Sequence, residues 1–213
     1  MKNFEDLLDG YRRFRTDELL KQRERWADLK EGQSPKVMIV ACSDSRVDPT
    51  QIFDTNPGET FVVRNVAALV PPFETTPGHH GVSAALEFAV QFLNVEEIVV
   101  MGHGSCGGCK VALTQQMKDM APGEGGFIAN WINMLDEARV KVVANHNDIT
   151  SNSAQLAMEW EGVRTSLANL RTFPCIKHRE AKGRIKLIGA WFAIATGQLH
   201  ILDTANDTFE QIL

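Results

Sequence analysis

The sequence predicts an α/β fold: a single domain over residues 1–213, with a mostly parallel central sheet flanked by helices and an N-terminal helical arm. Short apolar runs rich in β-branched residues have the composition of strands buried on both faces. Longer segments with apolar residues at helical spacing separate most of these runs, which is typical of a parallel sheet. A chain of 213 residues with 44% hydrophobic content is large enough for one such core.

Five strands are expected. The first, Val37-Met38-Ile39-Val40-Ala41, contains no polar residue and is the clearest of the five. In chain order, the predicted strands cover 37–41, 61–64, 96–101, 185–192 and 199–202.

Helical spacing predicts helices over 3–14, 16–29, 83–93, 106–117, 127–144 and 151–171. Thr16 is a suitable N-cap for the second helix. The segment 83–93 is apolar nearly all round, which predicts a buried helix. The helices within residues 1–31 are expected either to cover their own sheet or to pack on a partner subunit, and the sequence leaves both open.

The charge pattern gives no indication of a nucleic-acid or membrane partner. The net charge is −5, and no block of like charges stands out. The chain begins without the apolar stretch of a signal peptide, and no apolar run approaches the roughly 20 residues that span a bilayer. Four cysteines are too few for a disulfide scaffold, so we expect reduced thiols and a cytoplasmic location.

The first strand runs directly into Cys42-Ser43-Asp44-Ser45-Arg46. If the chain stays extended there, alternate side chains point to one side, so Cys42, Asp44 and Arg46 would converge. They would do so at the carboxyl edge of the sheet, where open α/β folds bind their ligands. Asp44 and Arg46 are then expected to form a functional charge-paired dyad, with a solvated salt bridge as the alternative.

The strand at 96–101 ends in a glycine-rich loop that carries His103 and Cys106. Two thiols and one imidazole suit zinc, whose catalytic sites keep three protein ligands and one open position. The His-x-x-Cys spacing lets both side chains leave one tight loop, while Cys42 comes from a neighbouring strand. Cys42, His103 and Cys106 are therefore the predicted metal ligands.

Two other interpretations of this loop remain open. Cys109, three residues after Cys106, could close the metal into a structural Cys₃His site or form a redox pair. The run from Gly102 to Gly107 also matches a dinucleotide-binding pattern, but its variable positions hold the proposed ligands.

The motifs Cys-Ser-Asp-Ser-Arg at 42–46 and His-Gly-Ser-Cys-Gly-Gly at 103–108 resemble those of β-class carbonic anhydrases, and the resemblance extends over about 33–192. It implies a zinc enzyme that reversibly hydrates CO₂ to bicarbonate and a proton. It also implies zinc on Cys42, His103 and Cys106, with water or, in a closed form only, Asp44 at the fourth position. The family is built on dimers, often paired into tetramers, so a homodimer or homotetramer is expected.

Within the family, the plant-like branch has a Gln shortly before the first motif, which Gln33 matches. The resemblance implies that Gln33 orients substrate across a dimer interface, and it places Gly107 in the substrate-binding set. Phe61, Val66 and Phe88 match positions that line a narrow apolar pocket, although Phe88 replaces a Tyr common in the plant enzymes. In the other branch, a Trp three residues before the Cys borders an inhibitory bicarbonate, and here that residue is Ile39.

The expected chemistry follows from the ligands. Zinc lowers the pKa of its bound water, so that zinc-bound hydroxide attacks CO₂ near neutral pH. Two thiolates neutralise the formal charge of the metal, so activity is expected to rise toward alkaline pH. Asp44, held by Arg46, is expected to accept a hydrogen bond from the hydroxide and orient it. The alternative functions are hydrolysis of carbon disulfide or carbonyl sulfide, and a non-enzymatic zinc-stabilised module.

Overall fold

A computed structural model describes residues 2–212 of the chain. These residues form two compact units, an N-terminal unit that ends at Ser34 and a larger unit that begins at Pro35. The prediction of a single domain over the whole chain stays a prediction.

The N-terminal unit is helical. It contains α1 (Phe4–Arg13), a π-helical turn (Phe14–Glu18), α2 (Leu19–Lys21) and α3 (Arg23–Leu29). The N-cap is Asn3, whose side chain accepts from the Asp6 N–H while the Asp6 carboxylate accepts from the Asn3 N–H. Thr16 is not an N-cap, contrary to the prediction, because the helical backbone continues through it and its hydroxyl donates to the carbonyls of Arg12 and Arg13.

The larger unit is built on a six-stranded sheet in the order β2-β1-β3-β4-β5-β6. The first four strands pair in parallel, and β5 and β6 pair antiparallel at one edge. The strands are β1 (Val37–Cys42), β2 (Thr60–Asn65), β3 (Glu97–His103), β4 (Lys186–Ala193), β5 (Gln198–Asp203) and β6 (Thr208–Ile212). The α/β fold class with a mostly parallel sheet is thereby confirmed. Strand β6 was not predicted.

Helices connect the strands along the chain and pack against the sheet. They are α4 (Pro49–Ile52), α5 (Gly81–Glu87), α6 (Gly107–Thr114), α7 (Gly126–Ile132), α8 (Asp136–Asn145), α9 (Asn152–Leu170) and α10 (Pro174–Ala181). The helix predicted over 127–144 is in fact two, α7 and α8, joined by the 3₁₀ turn Asn133–Leu135. Helix α10, which begins at a proline suited to a first helical turn, was not predicted.

The segment predicted as a buried helix is only partly buried. Helix α5 continues as a π-helical segment, Phe88–Phe92, in which Ala89 and Val90 are buried. The side chains of Phe88 and Phe92 lie largely at the surface, where their rings stack at a centroid distance of 5.6 Å. An apolar composition therefore does not distinguish a buried helix from one that presents an aromatic face.

Helix α9 packs closely against the sheet at two glycines. A Cβ on Gly102 of β3 would lie 2.8 Å from a methyl of Val163, and one on Gly189 of β4 would lie 3.0 Å from the same side chain. A larger residue at either position would push the helix away from the strands. Because Gly102 directly precedes His103, this contact also fixes the end of β3. Among the described residues, no helix is both long and apolar enough to cross a membrane.

Candidate metal centre

The candidate site lies where the parallel strands β1 and β3 end side by side. Ala41 pairs with Met101 in the register of the sheet, so Cys42 and His103 leave neighbouring strands at the same edge. The loop after β1 does not stay extended, as the sequence analysis assumed. The chain turns at Ser45 and Arg46, and the Val47 N–H donates to the Asp44 carbonyl over 3.2 Å.

The three predicted metal ligands converge in the structure. One ligand atom from each of Cys42, His103 and Cys106 lies within 4.8 Å of the others. All three residues are buried, with exposed fractions of 6%, 1% and 2%. Cys109 is also buried but does not belong to this converging group, and its sulfur faces Gly162 of α9. The described residues thus offer a three-ligand set rather than a closed Cys₃His site.

The imidazole of His103 has one nitrogen engaged and one without a partner. Nδ1 lies 2.9 Å from the Gly104 carbonyl, which only accepts, so Nδ1 carries a hydrogen and, in the neutral imidazole, Nε2 carries the lone pair. Nε2 is buried and has no hydrogen-bond partner among the residues that the structure describes. A buried lone pair facing two thiols is the arrangement that a tetrahedral, nitrogen- and sulfur-binding cation requires. The donor set therefore fits zinc.

The thiols hold their protons until a cation is present. Contact with Cys106, followed by burial, raises the pKa of Cys42 to about 12. Contact with Cys109 is the largest cause that raises the pKa of Cys106. A bound divalent cation reverses this preference, because thiolate is the form that coordinates metals.

Asp44 and Arg46 form the predicted dyad next to the ligands. The Arg46 Nε donates to Asp44 Oδ1 over 2.9 Å and its Nη2 donates to Oδ2 over 2.6 Å, a two-pronged contact. This pairing holds the pKa of Asp44 well below its usual range. Asp44 Oδ2 lies 4.0 Å from His103 Nε2, so an ionised carboxylate faces the ligand set. Arg46 also donates to the Ser105 carbonyl, which ties the two loops together.

Arg64, on β2, was not among the predicted site residues. Its guanidinium donates to the carbonyls of Cys42, Asp44 and Val47 and to the Asp48 carboxylate. It therefore fixes the loop that carries the Asp44–Arg46 dyad. An arginine at the end of the apolar run Phe61-Val62-Val63 was the available signal in the sequence.

Glu159, on α9, was also missed. Its side chain is buried and accepts hydrogen bonds from the backbone N–H of Cys106 and from two side chains. Burial raises the pKa of Glu159, and these donors oppose the rise. Its position in the middle of a helical pattern gave no sign of a contact with the loop.

The predicted substrate-binding residues are spread over the two units. Phe61 and Phe88 contact each other at a centroid distance of 5.9 Å. Val66 lies against α6, because a Cβ on Gly108 would come within 2.8 Å of the Val66 side chain. Gly107, which directly precedes Gly108, is exposed. Gln33 is exposed and belongs to the N-terminal unit.

The chain is similar in sequence to known carbonic anhydrases. The family model described as "Carbonic anhydrase" matches residues 37–199. "Beta carbonic anhydrase 3" of Arabidopsis thaliana is 35% identical over 91% of this chain and 74% of its own length. "Carbonic anhydrase" of Pseudomonas aeruginosa is 37% identical over 96% of this chain and 90% of its own length.

Solved structures share the fold. The β-carbonic anhydrase CcaA superposes with a TM-score of 0.90 at 29% identity, over 99% of this chain and 92% of its own. The Coccomyxa β-carbonic anhydrase, solved with acetazolamide, has a TM-score of 0.79 at 28% identity, over 95% and 87% of the two chains.

Proposed function

The chain belongs to the β-class carbonic anhydrases, lyases that interconvert CO₂ and bicarbonate, and from this premise we propose that Cys42, His103 and Cys106 hold the zinc ion that the reaction needs. The observation that carries the proposal is the buried, unpartnered Nε2 of His103 beside the two buried thiols. Zinc in such a set acts as a Lewis acid that makes a water molecule acidic enough to serve as the nucleophile.

Asp44 is the proposed hydrogen-bond acceptor for this nucleophile. Its carboxylate stays ionised at neutral pH, because Arg46 lowers its pKa, and Oδ2 faces the ligands. A hydrogen bond to Oδ2 would fix the orientation of the nucleophile, so that its lone pair points at CO₂. In the alternative closed form, Asp44 itself would occupy the fourth ligand position. The paired contacts from Arg46 oppose that movement.

Substrate binding is proposed for the apolar residues Phe61, Val66 and Phe88, for Gly107, and for Gln33. An apolar lining suits CO₂, which is small and carries no charge. Phe88 brings no hydroxyl to this lining, so any polar contact to bicarbonate must come from other groups. The match of Gln33 and the presence of Ile39 support placement in the plant-like branch.

A homodimer or homotetramer in the cytoplasm is proposed as the working form. Apolar side chains of α1 are strongly exposed, with 70% of Phe4 and 55% of Tyr11 accessible. An apolar stripe of this kind on an amphipathic helix is typical of a surface that is covered in an assembly.

Stopped-flow CO₂ hydration between about pH 6.5 and 9, with zinc content measured on the same sample, tests the proposal. We expect one zinc per chain and turnover that rises with pH. Steep activation from no activity at low pH would indicate the closed form with Asp44 on the metal. A protein that binds no zinc would overturn the ligand assignment. A zinc-loaded protein that hydrolyses carbon disulfide but does not hydrate CO₂ would overturn the assignment of CO₂ as the substrate.

A further inference from the structure

The carboxylate of Glu159 is buried without a cationic partner. Only 3% of the residue is exposed. Among residues 2–212, no Lys, Arg or His nitrogen lies within 4.0 Å of its oxygens. Burial of an unpaired charge is costly, so its presence here needs a compensating interaction.

Within residues 2–212, this carboxylate accepts hydrogen bonds at both of its oxygens. Oε1 accepts from the backbone N–H of Cys106 over 2.9 Å and from Nε2 of Gln155 over 3.1 Å. Oε2 accepts from the indole Nε1 of Trp191 over 3.1 Å. The ionised form accepts all three contacts without a proton of its own, so these donors favour the carboxylate against the effect of burial, which raises the pKa of Glu159.

The first of these contacts fixes the metal-binding loop. Cys106 is the N-cap of α6, so its own N–H has no acceptor within that helix. Glu159 supplies that acceptor from α9. The preceding residue, Ser105, has a left-handed backbone with φ of 56°, a conformation that a non-glycine residue holds only when its surroundings impose it. Trp191 closes the other side of the loop, since a Cβ on Gly104 would lie 3.2 Å from its ring.

We propose that Glu159 is a positioning residue of the metal centre. It holds the Cys106 backbone so that the sulfur stays directed at His103 and Cys42, and it places a fixed negative charge behind the ligands. Two thiolates only neutralise a divalent cation, so this further negative charge favours cation binding over the empty site. The inference rests on the proposed zinc site and adds a second layer to it, beyond the three ligands and the Asp44–Arg46 dyad.

Zinc affinity of the full chain is the direct test. Glu159→Gln keeps the shape but removes the charge, and we expect the zinc dissociation constant, from competition with a chromophoric chelator, to rise about tenfold or more. Glu161→Gln is the matched control on the same helix. In the described part of the chain, Glu161 forms ion pairs with Arg164 and Lys141 and none with the site, so the zinc affinity of this variant should stay within about twofold of wild type.

A second measurement separates positioning from general support of the fold. Thermal unfolding is recorded for each variant with and without zinc. If Glu159 only stabilises the fold, Glu159→Gln lowers both midpoints equally, and the upward shift caused by zinc stays as large as in wild type. Under the proposal, the shift caused by zinc becomes smaller.

The amide of Glu159→Gln places an NH₂ group opposite the Trp191 N–H, which could by itself disturb folding. The double variant Glu159→Gln with Trp191→Phe removes this donor–donor contact, and Trp191→Phe alone is its reference. We expect the double variant to bind zinc more weakly than this reference. The inference would be overturned if Glu159→Gln bound zinc as tightly as wild type and the double variant bound it as tightly as Trp191→Phe. If wild type binds one zinc, the proposed zinc site would be unaffected by that result. Failure of wild type to bind zinc would instead overturn the proposed function.

Discussion

The guanidinium of Arg64 donates a hydrogen bond to the backbone carbonyl of Asp44 over 2.7 Å, although the two residues lie 20 positions apart in the chain. Asp44 is thus held twice, by Arg64 through its backbone and by Arg46 through its carboxylate. The side chain that faces the ligand set is fixed from β2, which contributes no ligand of its own.

Replacing Arg64 with Ala should reduce activity without removing zinc. The change removes one donor from each of three backbone carbonyls and from the Asp48 carboxylate, so we expect at least about a tenfold loss of turnover and a loss of about 2 kcal/mol in unfolding free energy. CO₂ hydration and chemical denaturation measure the two effects. Arg171→Ala removes a comparable ion pair, with Glu180, far from the loop and should change turnover little. Equal turnover in the two variants would contradict the role of Arg64.

Asp44→Asn should lower turnover by about a hundredfold or more while zinc content is retained. The amide keeps the size of the side chain but loses the charge that Arg46 holds, and one of its two positions becomes a donor. Stopped-flow hydration and metal analysis of the same preparation measure both quantities. Normal turnover in this variant would remove Asp44 from the mechanism.

Cys109→Ser should keep one zinc per chain, whereas Cys106→Ser should lose most of it. Cys109 lies outside the group of converging ligand atoms, although its thiol contacts Cys106. Metal analysis after dialysis against a weak chelator distinguishes the two variants. Loss of zinc from Cys109→Ser would restore the closed Cys₃His interpretation and the structural module with it.

Zinc affinity should fall steeply as pH falls. The pKa of Cys42 is raised to about 12 and that of Cys106 is raised as well, so both thiols are protonated at neutral pH in the absence of metal. Each must release its proton on binding, and a lower pH supplies more competing protons. We expect up to about a hundredfold weaker binding per pH unit lost, measured by chelator competition between about pH 6.5 and 8.5. Affinity independent of pH would show that the thiols are already ionised.

Two adjacent glycines at the start of α6 should respond differently to alanine. A Cβ on Gly108 would come within 2.8 Å of Val66 and 2.9 Å of Ala67, whereas one on Gly107 meets nothing within 4 Å. Gly108→Ala should therefore lower the unfolding free energy by about 1–3 kcal/mol. Gly107→Ala should be neutral or stabilise by up to about 1 kcal/mol. Equal effects in urea denaturation would show that Val66 and Ala67 move aside at little cost in free energy.

The sequence was sufficient to predict the residues of the site that lie at the ends of strands. A buried apolar run stopping at Cys42 and another at His103 were enough to bring the ligands to one edge, because parallel neighbours end together. The assumption of an extended chain after Cys42 was wrong, because the Asp44 carboxylate accepts from the Arg46 N–H and closes a turn. The side chains of Asp44 and Arg46 still meet, through that turn rather than through strand alternation.

Contacts made across the fold were not predictable in the same way. Glu159 reaches Cys106 over 53 positions, and its spacing within α9 resembles that of any polar helical residue. Strand β6, Thr208-Phe209-Glu210-Gln211-Ile212, alternates in polarity, but its pairing with β5 follows a short turn and brings few apolar residues to the core. Local composition carries little information about such edge strands.

The origin of Cys42 and His103 on neighbouring strands also bears on which ions the site accepts. Ala41 pairs with Met101, so Cys42 and His103 lie one and two positions beyond the same pair, and the hydrogen-bonded ladder holds their backbones at a fixed separation. Two thiols and an imidazole brought together in this way suit an ion that binds sulfur and nitrogen. An ion that takes six to eight oxygen ligands would find none of its preferred ligands among these three side chains. The sheet therefore restricts the choice of ion through the kind of ligand that it brings together.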